Sequence, residues 1–203
     1  MGFFSEVHIV SSYMDELNSL EEYIENVELF IESRSEDLEP VTTEGYFHWN
    51  IKFPTILRAT VFLSCYAYFE HQLVTMCKDF ERQEDILVKY NDLTGQGIEK
   101  AAKYLKKVCN IEFPDQSPEW NRIKKYNLIR NCFAHNLGIL EGMKNENKII
   151  EALSSFDSVD YDSFHFITIS SGDFCKETIA DIRNFLNQLR KQASHLGNQT
   201  DSF

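Results

Sequence analysis

Apolar residues recur at Phe3, Val7, Val10, Met14, Leu17, Leu20, Ile24, Val27 and Ile31, in steps of three and four, with Glu and Asp between them. That stripe predicts one long amphipathic helix over 3–31. Ser33 to Trp49, with Pro40 and Gly45, reads as a polar connection. Pro54 opens a second helix, about Thr55 to Arg82. Its centre, ATVFLSCYAYFEHQLVTMC, is apolar nearly all round and marks a core element. After a break near 91–97, a third helix from about Gln96 to Cys109 carries KAAKYLKK, with lysines on more than one face. A fourth spans Ser117 to Gly138.

Ile149 to Phe156 fits either a short strand or a helical turn, whereas His165 to Ile169 alternates and is β-branched, as a strand does. Ser170 and Asp173 resemble a capping box. Phe174 to Gln192 is a last amphipathic helix with Ile179, Ile182, Phe185, Leu186 and Leu189 on one side, and the chain from Ser194 reads as frayed. The expected class is all-α: an antiparallel bundle of four to five helices, with room for a short strand pair near the C-terminus. It is read as one domain, 1–203, made of an acidic N-terminal helix (1–40), a core bundle (54–192) and a flexible tail (193–203).

Composition supports long elements around an aromatic core: sixteen Phe and nine Tyr, but only eight Gly and four Pro in 203 residues. The five cysteines (65, 77, 109, 132, 175) are scattered through apolar helical runs without C-x-x-C spacing. That usage predicts reduced thiols in a cytoplasmic protein and no zinc site. The carboxylates are scattered too, so neither metal nor cofactor is expected. The longest apolar run, Ala59 to Phe69, is about half a membrane span, and no basic leader or acylation motif opens the chain.

A net charge of −12 opposes nucleic-acid binding if it is spread evenly, but it is not. Residues 1–40 hold eleven acidic groups and one basic. From Ile98 to Arg130 there are eight basic groups and four acidic. Arg122, Lys124 and Lys125 are therefore candidates for a basic patch.

The most informative stretch is SPEWNRIKKYNLIRNCFAHNLG, from Ser117 to Gly138. Ser117 is a good N-cap, Pro118 fits the first helical position, Glu119 suits the positive end of the dipole, and Gly138 suits the residue past the end. Trp120, Ile123, Leu128, Ile129, Cys132, Phe133 and Ala134 are core-like. Asn127, Asn131 and His135 are spaced four apart, so they stack as one row, with Arg130 beside it. Such groups left unpaired in a core cost a few kcal/mol each. Either they satisfy one another or they line a site.

Arg130-Asn131-x-x-x-His135 resembles the R-x(4–6)-H motif of the HEPN superfamily, including the polar residue after the Arg. The resemblance covers about twenty residues. It implies a small all-α protein and, in many members, a metal-independent endoribonuclease of toxin–antitoxin or anti-phage systems. It implies a homodimer in which two motif helices meet to form a composite cleft, and a possible cognate antitoxin. On this resemblance His135 is the general acid/base, Arg130 the phosphate clamp and Asn131 the orienting partner, with Ile129 and Phe133 expected at the two-fold interface. Leu137 stands where some family toxins carry Tyr. Glu70 is placed to pair with the Arg130 row, a structural role more than a chemical one, and His71 reads as a boundary residue. Two other classes remain open: a HEPN-like module that binds RNA, nucleotide or protein without cleavage, and an all-α interaction protein in which the polar row is a satisfied core network.

Overall fold

The computed structural model describes residues 3–36, 43–83 and 86–200, with side chains placed for 16–34, 45–82 and 86–194. The protein is mostly helical. α1 (Phe3–Glu36) and α2 (Thr43–Phe47) are followed by a π-helical turn (His48–Lys52) and α3 (Phe53–Gln83). A 3-10 turn (Tyr90–Asp92) precedes α4 (Gly97–Lys107), α5 (Pro118–Asn136) and α6 (Glu146–Leu153). β1 (Val159–Tyr161), β2 (Ile167–Ile169) and α7 (Asp173–Thr200) complete it. No helix among the described residues is long and apolar enough to cross a membrane.

The chain forms two compact units, and the divisions fall within helices α3, α5 and α7. The first comprises Met1–Tyr66 and Arg122–Arg183. Phe62 is central to its core, with ring centroids 4.9 Å from Phe174, 6.1 Å from Tyr126 and 6.4 Å from Phe133. Tyr126 in turn stacks on Phe156 at 4.8 Å. From α1, the expected stripe residues Leu17, Ile24 and Val27 are buried, while the expected Phe3, Val7, Val10 and Met14 fall where side chains are not described.

A two-stranded sheet is marginal by itself. Here β1 and β2 are antiparallel, with Val159 opposite Ile169 and Tyr161 opposite Ile167. Backbone groups on the other edge of β2 are satisfied from elsewhere in the same unit. The Ile169 N–H donates to Thr55 Oγ1 at 3.2 Å, and the Ile169 carbonyl accepts from Arg58 Nη1 at 2.8 Å. The Ile167 N–H donates to the Gly138 carbonyl at 2.8 Å. Arg58 is itself buried and holds Glu28 of α1 through two bonds of 2.7 and 2.8 Å, a bidentate pair that neutralises it.

The second unit comprises Ala67–Asn121 and Asn184–Phe203. Its core stacks Trp120 on Phe185 at 5.1 Å, with Phe113 edge-on to both and Phe69 against Phe185. Tyr104 is fully buried, and its hydroxyl donates to the Val88 carbonyl at 3.1 Å. The lysines of α4 divide as expected: Lys103, Lys106 and Lys107 are exposed, while Lys100 packs its ammonium over Tyr90 at 4.5 Å.

Three local expectations need correction, and one open alternative is resolved. Pro54 does not open the second helix, because helical backbone runs from Thr43 through Phe53. The Phe53 N–H reaches back five residues to the His48 carbonyl. Widening the turn there relieves the clash that a proline ring makes with the carbonyl four residues before it. Gly45 and Trp49 are thus helical rather than part of a loop. Ile149–Phe156 is settled largely as helix α6, with Ile149, Ala152 and Leu153 inward. The α7 cap is formed by Ser171, whose hydroxyl accepts from the Asp173 N–H at 3.1 Å, while Ser170 bonds the Ser158 carbonyl. Finally, α7 continues to Thr200, past the tail expected from Ser194.

Candidate functional site

The motif lies on α5, whose start follows the expected local rules. The Trp120 N–H donates to Ser117 Oγ at 3.1 Å, satisfying one of the orphan donors of the first turn. At the other end the helix does not stop on glycine alone. Leu137 (φ 54) and Gly138 (φ 82) are both left-handed, and the Gly138 N–H donates to the Cys132 carbonyl at 3.2 Å. A Cβ on Gly138 would meet the Phe133 ring at 2.8 Å, so the chain turns against that ring with no space for a side chain. Asn136 fixes the exit by donating to the Ile139 carbonyl at 2.5 Å and the Glu141 carbonyl at 3.2 Å. The segment is also tied to β2 through an antiparallel bridge between Ile139 and Phe166.

On this rigid helix end the polar row is assembled as its spacing predicts. Asn131 Nδ2 donates to Asn127 Oδ1 at 3.3 Å, and Arg130 Nη1 donates to Asn131 Oδ1 at 2.9 Å. The Arg130 guanidinium carbon lies 5.0 Å from the centroid of the Tyr66 ring. A cation over an aromatic face is attracted by about 0.5–1 kcal/mol or more. Arg130, Asn131 and Asn127 are half-buried. His135, one turn beyond Asn131, is exposed, and its side chain makes no hydrogen bond among the described residues.

Of the residues expected in a basic patch, two are engaged within the chain. Arg122 is committed to a network: Nε donates to Asp181 at 2.6 Å, and Nη2 to Glu177 at 2.5 Å and to the Tyr126 hydroxyl at 3.1 Å. The Tyr126 hydroxyl donates to the same Asp181 at 2.7 Å. Burial, and then Asp181, push the Tyr126 pKa well above the ordinary phenol value. Lys125 donates to Ser155 Oγ at 2.7 Å, leaving Lys124 as the exposed member of the proposed patch.

Glu70 belongs to the other unit, where its carboxylate lies 3.1 Å from the position a Cβ would take on Gly97. His71 is exposed, with Nε2 3.4 Å from Thr75 Oγ1. Ile129 and Phe133, expected between protomers, are buried inside the chain, Phe133 against Phe62. Ala134, read as a core residue, is exposed beside His135. Their places exchange because the apolar residues of α5 turn with the helix and only some face inward.

Sequence reasoning missed Tyr66 as the platform under Arg130, and Asp181 and Glu177 as the partners of Arg122. These residues are distant in sequence, and no local pattern links them to the motif. Every cysteine is buried with a free thiol, and burial raises the pKa of Cys132 to about 11, so these thiols are poor nucleophiles. Among the described residues no group of three or more His, Cys, Asp or Glu is arranged to hold a metal ion.

What remains chemically capable is an oriented guanidinium and an accessible imidazole on one helix end. Such a set can bind an oxyanion and move a proton. Comparison with protein-family models, with curated proteins and with solved structures finds no match to this chain.

Proposed function

We propose that the chain is a HEPN-like, metal-independent endoribonuclease, acting as a toxin or defence effector, in which two protomers combine their motif helices. The observation that carries this reading is the pairing of an oriented Arg130 with an accessible His135 on one rigid helix end. In this reading Arg130 clamps the scissile phosphate and stabilises the charge that develops on it. One His135 takes the 2′-hydroxyl proton, and the partner's His135 protonates the leaving 5′-oxygen. A single imidazole cannot easily do both in an in-line reaction, which is why a second protomer is invoked. Ala134 and Leu137, exposed on either side of His135, offer apolar surface for it.

The test is expression of wild type and His135→Ala in a bacterial host, with total RNA run on a gel. Discrete fragments from wild type alone are the expected outcome, and cleavage by the purified protein is expected to persist in EDTA. Intact RNA in both, with both proteins folded and dimeric, would sink the nuclease reading.

The internal chain Arg130–Asn131–Asn127 favours a second reading, in which the row is a satisfied structural network. That reading predicts a large fall in Tm for Arg130→Ala, which the nuclease reading does not.

A further inference from the structure

The hydrogen bonds along α5 settle which way its side-chain amides face. A guanidinium has donors only, so the Asn131 atom that meets Arg130 Nη1 at 2.9 Å is Oδ1. Asn131 Nδ2 is then the atom turned towards Asn127, and the atom that receives it at 3.3 Å is Asn127 Oδ1. Each assignment follows from the one before it, which removes the usual freedom to exchange oxygen and nitrogen in an amide. The chain of bonds therefore ends on Asn127 Nδ2. Its N–H groups have no acceptor among the described residues, and Asn127 is half-buried.

One turn earlier on the same helix, Lys124 is exposed, and its side chain makes no hydrogen bond or ion pair among the described residues. Lys124, Asn127, Asn131 and His135 follow steps of three, four and four, so they share one stripe of α5. From Lys124 to His135 that stripe runs about 16 Å along the helix axis. It presents a cation at one end, an amide donor in the middle and an accessible imidazole at the other end. That is longer than a single phosphate group spans.

We propose that a single RNA strand lies along this stripe, with the scissile phosphate at His135 and the phosphates on one side of it held by Asn127 and Lys124. Such a path rests on the ribonuclease reading and gives that site its substrate class: a single strand that carries phosphates beyond the one cleaved. Asn127 takes a phosphate oxygen rather than a base edge. An asparagine that reads adenine uses its oxygen and its nitrogen together, and Asn127 Oδ1 already accepts from Asn131. The donor that remains suits a phosphodiester, whose charged oxygens accept. Lys124 supplies the charge, so this hold on the strand does not depend on base sequence.

Thymidine oligonucleotides lack the 2′-hydroxyl that the proposed reaction uses, so they bind without being cut. The experiment measures Kd of the full chain for thymidine 5′-monophosphate and for a thymidine tetranucleotide, each over a range of salt. The wild type should hold the tetranucleotide more tightly. Asn127→Leu, similar in size and uncharged, should weaken the tetranucleotide about tenfold and leave the monophosphate nearly unchanged. Its salt slope should stay that of wild type, because a neutral amide releases no counterion, whereas Lys124→Gln should lower the slope by about 0.7. The proposal is overturned by a wild-type affinity that does not grow with length, or by an Asn127→Leu variant that binds the tetranucleotide as wild type does. It is also overturned by an Asn127→Leu loss equal for both ligands (support of Asn131 only), or by tetraglutamate binding as tightly as the tetranucleotide (a carboxylate-rich protein partner). Failure of the ribonuclease reading looks different: RNA stays intact while the length dependence and its loss in Asn127→Leu persist, and the phosphate track stands without the reaction.

Discussion

Arg122 and Arg130 stand eight residues apart on the same helix and in the same compact unit, and different side chains orient them. Arg122 is clamped by Asp181 and Glu177, shares Tyr126 with Asp181, and lies over the Phe156 ring at 4.9 Å. Arg130 is oriented by the amide of Asn131 and the face of Tyr66. Carboxylates spaced around a guanidinium use up the fork geometry that would otherwise receive a phosphate. At Arg130 an amide oxygen and an aromatic ring take part in orienting the fork. Of two arginines that look alike in the sequence, Arg122 is the one that ties α5 to α7 through two carboxylates.

The sharpest way to break this comparison is to substitute each arginine and read stability and activity separately. In the proposed mechanism His135→Ala and Arg130→Ala lower RNA cleavage by roughly 10²–10⁴-fold while leaving Tm nearly unchanged. If Arg130→Ala melts as early as Arg122→Ala, the distinction between the two collapses and the structural-network reading wins. Next in size is the effect on folding. Asp181→Ala leaves the hydroxyl of the buried Tyr126 without its acceptor and Arg122 with Glu177 as its remaining carboxylate in this network, and should cost about 2 kcal/mol, read from chemical denaturation. A change within error would mean that the network contributes no more than an exposed ion pair.

A smaller effect follows from alkaline titration. Burial raises the thiols of Cys65 and Cys77 from 9.0 to about 12, and the Tyr104 phenol from 10.0 to about 12. Each folded value lies above its unfolded one, so the stabilisation is full below pH 9 and is lost as pH climbs through 9 towards 12. Denaturation midpoints should be flat near neutrality and then fall over that window, more steeply in wild type than in Cys65→Ala. Smallest is the surface charge. Lys124→Glu should weaken RNA association a few-fold and lower its salt slope by about one, whereas Arg122, consumed by its carboxylates, should not contribute to that slope. A salt slope unchanged in Lys124→Glu would remove Lys124 from the interface.

What the sequence made legible was local. The Ser117 cap, the Asn127–Asn131–His135 spacing, the short C-terminal strand and the inward side of α7 all depend on residues within a turn or two of one another. The rest depends on partners that no window contains. Nothing near Arg122 distinguishes it from Lys124, because the carboxylates that claim it are 55 and 59 residues away. Tyr66 looks like one more aromatic in an apolar helix until its ring is found beneath Arg130. Phe133 and Ala134 have similar sequence surroundings, and only the turn of the helix buries one and exposes the other. Pro54 is a case where a sound local rule gave the wrong boundary, because a π-helical turn absorbed the clash that the rule assumes will end a helix.

The clasp on the edge of β2 also has a kinetic meaning. The bonds from Arg58 and Thr55 to Ile169 join residues 111 and 114 positions apart in the chain. Contacts of such span need a long loop to close, and we predict that they form on the downhill side of the folding barrier. Weakening them should leave the refolding arm of a chevron almost unmoved and steepen the loss of the native state: Arg58→Ala is expected to accelerate unfolding, with the Ile169 amide exchanging with solvent ahead of the core helices. A refolding rate that slows in step with the lost stability would instead place this clasp in the folding nucleus.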